Sequence, residues 1–308
     1  MRARDLAEML LLAALWGASF LFLRMAAPVV GPLAVAAFRV TGAALMLWPL
    51  LLWRKQAGLV VRRTPVLLLA GLVTCVLPFL GLSHAARALP AGLLSILNAT
   101  TPLWGALVGW LWMRERLSAG TVAGLLMGLA GVALLATDRT HIDGELAQGA
   151  VAIALASTLM YAIATHHTRR YLNTLPPLSV STGCLSAAAL VLAVPAWLVG
   201  PQPSGNFPAP PATWAEVPQA TWLALTGLAV LCTAVAYLLF YRLLARVGPT
   251  RAMTVTFLIP VFGMLWGWLF LHEEITWPML ASTTVILLGT LLSNGMLSTR
   301  LFAKERIA

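Results

Sequence analysis

The sequence predicts an all-α polytopic membrane protein: ten transmembrane helices forming two inverted five-helix repeats, N-in and C-in. Three observations carry that prediction. Of 308 residues, 60% are hydrophobic and only 10% charged, with a mean hydropathy of +0.88, whereas a soluble domain carries roughly 25% charged residues. Apolar runs recur at the length of about 20 residues that a helix needs to cross about 30 Å of hydrocarbon. The second half of the chain also repeats the first in register.

The ten predicted spans are 6–25, 32–53, 65–84, 90–112, 118–137, 147–168, 178–199, 218–241, 251–271 and 276–297. The first follows Arg2 and Arg4 as a signal sequence would. No small-residue cleavage site precedes Arg24, however, and the second span begins within a few residues, so it reads as a retained helix. The later runs are long and unbroken, without the ten-residue polar alternation of barrel strands. Between the fifth and sixth lies DRTHIDGEL, and between the seventh and eighth the longest loop, GPQPSGNFPAPPATWAEVP (200–218).

Charge sets the orientation. The formal net charge of +10 suggests nucleic acid only until its distribution is examined. With the N-terminus inside, sixteen of the twenty Lys and Arg, from Arg2 and Arg4 to Arg300, Lys304 and Arg306, fall on the cytoplasmic side. Only Arg24, Arg87 and Arg139 fall outside, where six of the ten acids also lie. This is the positive-inside pattern and excludes a nucleic-acid partner. Cys75, Cys184 and Cys232 stand singly in apolar segments, without metal or redox spacing, and read as small buried hydrophobes.

A shift of 158 residues lays TPLWGALVGWLWMRERLS (101–118) on IPVFGMLWGWLFLHEEIT (259–276) without a gap. Pro102 meets Pro260, Gly105 meets Gly263, Gly109 meets Gly267, Trp110 meets Trp268 and Glu115 meets Glu273. The expected organisation is a first repeat at 1–137, an external linker at 138–146, a second repeat at 147–298 and a cytoplasmic tail at 299–308. Five spans per repeat force the second copy to enter the membrane from the other side, an arrangement typical of carriers.

Four stretches together resemble the EamA-type members of the drug/metabolite transporter superfamily: LLAALWGASFLFLR, AFRVTGAALML, ILNATTPLWGALVGWLWMRERLS and FLIPVFGMLWGWLFLHEEIT. The resemblance spans nearly the whole chain but does not specify a substrate. It implies a bundle in which helices 1–4 and 6–9 surround a central cavity while 5 and 10 brace one side. Small multidrug members carry a proton-exchanging glutamate on helix 1. The matching position here is Trp16, which argues against proton-coupled export of cationic drugs.

Residues three and four apart share a helical face, which places Ser95, Asn98 and Thr101 on one stripe of helix 4. They serve either as hydrogen-bonding glue between helices or as cavity lining. The shift sets Thr254 against Ile96 and Thr256 against Asn98, so both repeats carry polar groups before the proline, which favours lining. Pro102 and Pro260 each remove a backbone hydrogen bond at the same depth and are expected to act as hinges. The paired glycines read as sites of close helix packing. Arg39, the one charge well inside a span, is expected to face the cavity and favour an anion. Trp16, Phe20, Trp104, Tyr161, Tyr237, Tyr241 and Phe257 supply apolar walls, with Ser19 beside Phe20 completing the expected lining. Trp48, Trp53, Trp214, Trp222 and Trp277 fit an interfacial belt. His166 and His167 read as ordinary surface histidines at the cytoplasmic end of helix 6.

No paired aspartates, HExxH helix or serine with a base stand at span depth, so no enzymatic reaction is expected. The function these observations predict is an inner-membrane secondary carrier that exports a small metabolite, an amino acid or related carboxylate, by alternating access. Drug or cation efflux on the same fold is the alternative, and a non-transport scaffold or receptor the remote one. The expected partners are a small-molecule solute and the lipid bilayer, with a monomer favoured over an obligate dimer and no cofactor or metal.

Overall fold

The computed structural model describes residues 3–138, 140–204 and 210–294. Arg2, Arg139, Arg300, Lys304 and Arg306 of the charge pattern, and the tail 299–308, lie outside the described residues. Helices dominate, and there is no strand among the described residues. The first helix is continuous from Ala3 to Trp53, 51 residues. If straight it would measure about 77 Å, more than twice the thickness of a bilayer core. It bends instead at Gly31, whose φ of 84° and ψ of 161° suit a residue without a Cβ. Pro28 and Pro32 flank the bend. The element is therefore two arms, α1 (3–30) and α2 (32–53), meeting at a corner where the sequence suggested a short loop.

Next come α3 (Thr64–Ala85), α4 (Ala91–Met113) and α5 (Ala119–Leu135), then α6 (Gly144–Tyr171), α7 (Pro177–Val199) and α8 (Gln219–Val247). With Ala3–Trp53, all but α5 are long and apolar enough to cross a membrane, which makes six such helices among the described residues. The shorter apolar helices are α5, the main part of α9 (249–271) at Ile259–Leu271, and α10 (Trp277–Ser293). A helical turn, Ala57–Arg62, links α2 to α3.

Three pairs of helices five apart in sequence pack on one another: α2 with α7, α4 with α9 and α5 with α10. Between α5 and α10 the backbones nearly touch: a Cβ on Gly124 would lie 2.5 Å from the Gly289 carbonyl oxygen. On α9, Gly263 abuts Ser95 of α4. Trp48 on α2 donates from Nε1 to Ser186 Oγ on α7 at 2.9 Å. The remaining neighbours are also mirrored. Gly17 of α1 meets Phe262 of α9, while Thr100 of α4 meets Thr158 of α6 at 3.2 Å. Gly71 of α3 meets Cys184 of α7, while Gly42 of α2 meets Ala229 of α8.

Polar contacts define two faces of the bundle. On the face that carries the start of α1, Glu8 binds Arg242 of α8 at 2.7 Å and also Arg246, and Asp5 pairs with Arg246 at 3.1 Å. On the opposite face Asp138, just beyond α5, accepts from Thr276 at the start of α10 (2.7 Å) and bonds His141 (3.0 Å). Burial would raise the Asp138 carboxyl, but the hydrogen bonds from Thr276 and His141 outweigh it and hold the group below the usual carboxylate range. A depressed carboxyl contributes stability that is full above the unfolded value of about 3.9 and is lost as pH falls through the folded one. Detergent-solubilised protein should therefore lose melting temperature on acidification below about pH 4. Asp138→Asn should start lower and show a flatter acid limb in the same melts.

Candidate substrate cavity

A cavity of ≈ 690 Å³ lies at the centre of the bundle, bounded by α1–α4, α6, α8 and α9, with Thr121 of α5 and Ser293 of α10 also in its lining. Contrary to the arrangement implied by the resemblance, α7 contributes none of its lining residues. Trp16, Ser19, Phe20, Arg39, Asn98, Thr101, Tyr161, Tyr237, Thr256 and Phe257 all line it, as does Pro102. Trp104 and Thr254 do not. Trp104 is half-buried outside the cavity, and the Thr254 hydroxyl is turned to the Arg251 carbonyl (2.7 Å) and Met9 Sδ (3.2 Å). Tyr241 stands behind Tyr237, ring centroids 6.1 Å apart, and Pro260 is buried against α4. The cavity runs to the face that carries the start of α1, where Glu115, Arg116, His166, Met253 and Asn294 form its mouth.

Arg39 is the central charge. Its Nε donates to Thr233 Oγ1 at 3.0 Å, and its guanidinium carbon stands 3.9 Å above the Phe79 ring. The residue is only 8% exposed, and no carboxylate pairs with it among the described residues. A guanidinium has five donors in a planar fork, so its outer nitrogens are left to face the cavity. A widened helical turn positions Thr233. Residues Val230–Val235 of α8 form a π-helical segment in which the Thr233 hydroxyl donates to the Leu228 carbonyl, five residues back, at 2.8 Å. The lone pairs of that hydroxyl remain for Arg39. A second π segment, Leu72–Val76 in α3, sits 158 residues earlier, in the register of the repeat. Such bulges frequently mark functional sites.

The polar cluster of α4 divides between the two roles foreseen for it. Ser95 is glue: its hydroxyl donates to the Gly92 carbonyl at 2.6 Å and lies 3.4 Å from that of Pro260. Thr100 likewise bonds Leu97 and Thr158. Asn98 faces the cavity, and its side-chain amide has no protein partner among the described residues. The α-helical course breaks here at Ala99–Thr100, one turn ahead of Pro102. On α9 it tightens into 3-10 turns over Met253–Phe257 ahead of Pro260. Both interruptions lie beside the cavity, where freed backbone groups are tolerated in a membrane.

Three further expectations need correction. His166 and His167 are not surface residues: both are buried, and His166 lines the mouth with its Nδ1 2.9 Å from the Ala162 carbonyl. The α6 helix extends to Tyr171, so both rings are still inside the bundle. The glycine pairs are not uniformly packing sites either. A Cβ on Gly105 would meet nothing within 4 Å, and one on Gly109 would lie 2.7 Å from Glu115 Oε2. In the aromatic belt, Trp53 and Trp277 are exposed as expected, whereas Trp214 and Trp222 close around Phe38 at 5.4 and 5.2 Å. Phe79 and Thr233 were missed by sequence reasoning. The repeat register held the signal for the first, since Phe79 lies 158 residues before Tyr237.

A model of the "EamA-like transporter family" matches residues 6–137 and again 148–295. The chain belongs to that family. Among the curated proteins it is similar to is "Uncharacterized transporter YvbV" of Bacillus subtilis, 25% identical over 284 residues that cover 92% of this chain and 89% of that protein. "WAT1-related protein At3g02690, chloroplastic" of Arabidopsis thaliana is 25% identical over 287 residues, 91% of this chain and 66% of its own length. A solved crystal structure superposes with a TM-score of 0.65 at 19% identity, covering 98% of this chain and 99% of its own, which bears on the fold alone.

Proposed function

We propose that this EamA-like transporter is a secondary carrier of the cell inner membrane that exports an amino acid or related carboxylate by alternating access. The observation that carries the reading is Arg39, a buried guanidinium on the cavity wall without an acidic partner among the described residues. A charge at that depth costs free energy that pairing offsets, and a solute carboxylate would complete its fork. Asn98, Thr101 and Thr256 would hydrogen-bond the polar end of the solute, and Trp16, Phe20, Tyr161, Tyr237 and Phe257 would hold an apolar side chain. The drug or cation reading finds support in the aromatic walls, but a fixed positive charge in the same cavity opposes it.

In this reading both termini are cytoplasmic, as the charge distribution favours, and the cavity mouth faces the cytoplasm. The two segments matched by the family model are inverted copies. A two-fold axis in the membrane plane would map α2 onto α7, α4 onto α9 and α5 onto α10, the pairs that pack together, and this supports the inversion. The interruptions ahead of Pro102 and Pro260 would act as the hinges.

Counterflow in proteoliposomes tests the reading. Vesicles preloaded with a panel of amino acids and organic acids should accumulate one labelled carboxylate, with saturation and with trans-stimulation. Accumulation confined to organic cations would transfer the function to the alternative, and absence of any saturable exchange across both panels would remove a carrier role.

A further inference from the structure

Glu115 and Glu273 occupy equivalent places in the two halves but hold different partners. Each follows a left-handed residue, Arg114 at φ 55° or His272 at φ 54°. Each backbone N–H returns to a glycine carbonyl, Gly109 or Gly267, at 3.1 Å, and each glycine leaves room for the carboxylate. Glu273, on the closed face, accepts from the first amides of α4: Ala91 at 2.9 Å and Gly92 at 3.3 Å. Its charge caps a helix N-terminus, a favourable place for a carboxylate. Glu115, at the open mouth, caps nothing among the described residues and pairs with Arg169 of α6 at 2.7 Å.

The arginines differ in the same sense. Trp16 and Tyr161 both line the cavity, 145 residues apart on α1 and α6, and eight residues beyond each stands an arginine, Arg24 and Arg169. Arg24, on the closed face, donates to the carbonyls of Ala86 (2.9 Å) and Arg87 (3.0 Å) at the end of α3. The junction of α3 with α4, ARALPAG (86–92), is repeated as ARVGPTR (245–251) between α8 and α9. Aligned on Pro90 and Pro249, a shift of 159 that departs by one residue from the register of the helices on either side, Ala86, Arg87, Ala91 and Gly92 correspond to Ala245, Arg246, Thr250 and Arg251. The closed face has a carboxylate on amides and a guanidinium on carbonyls; the open face has the same two groups bonded to each other.

We propose that the two glutamates and two arginines exchange partners at each turnover, so that one face is latched whenever the other is free. In the state open to the opposite face, Glu115 leaves Arg169 and caps the first amides of α9 at Thr250 and Arg251, while Arg169 takes the carbonyls of Ala245 and Arg246. Meanwhile Glu273 leaves α4 and pairs with Arg24. Bonds of one kind replace bonds of the same kind, so the two states stay close in free energy, as a carrier requires. This inference rests on the alternating-access reading.

A cysteine at Ala106, on the cavity wall, reports which face is open through its labelling by a membrane-impermeant maleimide in right-side-out and inside-out vesicles. Glu273→Gln should raise opposite-face labelling relative to the mouth face by about five- to ten-fold, Glu115→Gln should lower it similarly, and the double variant should return to the wild-type ratio. If either single variant fails to fold, Glu115→Cys with Arg251→Cys gives the answer: an oxidant should join the pair and block labelling from the mouth face. Ratios indifferent to both substitutions, or shifted in one direction by both, in a protein labelled from either face, would overturn the latch and leave alternating access standing. Labelling from one face only, at every solute concentration tested, would overturn alternating access and the latch with it.

Discussion

Arg39→Met should abolish carboxylate exchange while leaving the protein about as stable as the wild type. The side chain gives up one charge-assisted hydrogen bond to Thr233 and one contact with the Phe79 ring, together about 2–5 kcal/mol. Removing a charge from the interior of a membrane helix returns about 2.5–3.5 kcal/mol, so the two effects nearly cancel. The solute, in contrast, loses its counter-charge and two charge-assisted hydrogen bonds at about 1.5–3 kcal/mol each, which lowers exchange by at least about 100-fold. Arg39→Lys should restore part of the rate, because the charge returns without the planar fork. Paired counterflow and melting measurements check this. Exchange by Arg39→Met above about a tenth of wild type would place the carboxylate elsewhere.

The second large effect concerns stability. Gly124→Leu should unfold the α5–α10 pair, because the first added carbon would stand 2.5 Å from the Gly289 carbonyl oxygen and equally close to the Ser293 amide. Backbone cannot retreat as a flexible side chain can, and overpacking of this kind costs about 3 kcal/mol or more. Gly105→Ala is the contrasting case, since its Cβ would meet nothing within 4 Å. Size-exclusion profiles in detergent should show aggregation for the first variant and a wild-type peak for the second.

Much of this architecture was legible in the sequence because hydrocarbon allows a chain few choices. Apolar length alone marks α3, α4, α6, α7 and α8, and the shared Pro102 and Pro260 align the halves. The charge deep in the second span, Arg39, stands out because so little else in the membrane is ionised. What escaped notice depended on three dimensions. The role of Ser95 as glue and of Asn98 as lining could not be told apart on one stripe of a helix, because the difference is set by where Pro260 and α9 lie. The burial of His166 followed from one more turn of α6 than hydropathy indicated. Thr233 gained its place beside Arg39 through a π-helical turn that no residue pattern announces. Glycines 109 and 267 looked like packing motifs because spacing reveals that space is needed, not which group fills it.

The corner at Gly31 has a mechanical consequence. The cavity's first aromatic, Trp16, and its cation, Arg39, sit on two arms of a single bent rod, whereas α6 and α7 in the other half are separated by residues 172–176. Any tilt of α1 is therefore passed to Arg39 as the two limbs of a bell crank pass motion. The matching limbs of the second half are joined with play between them.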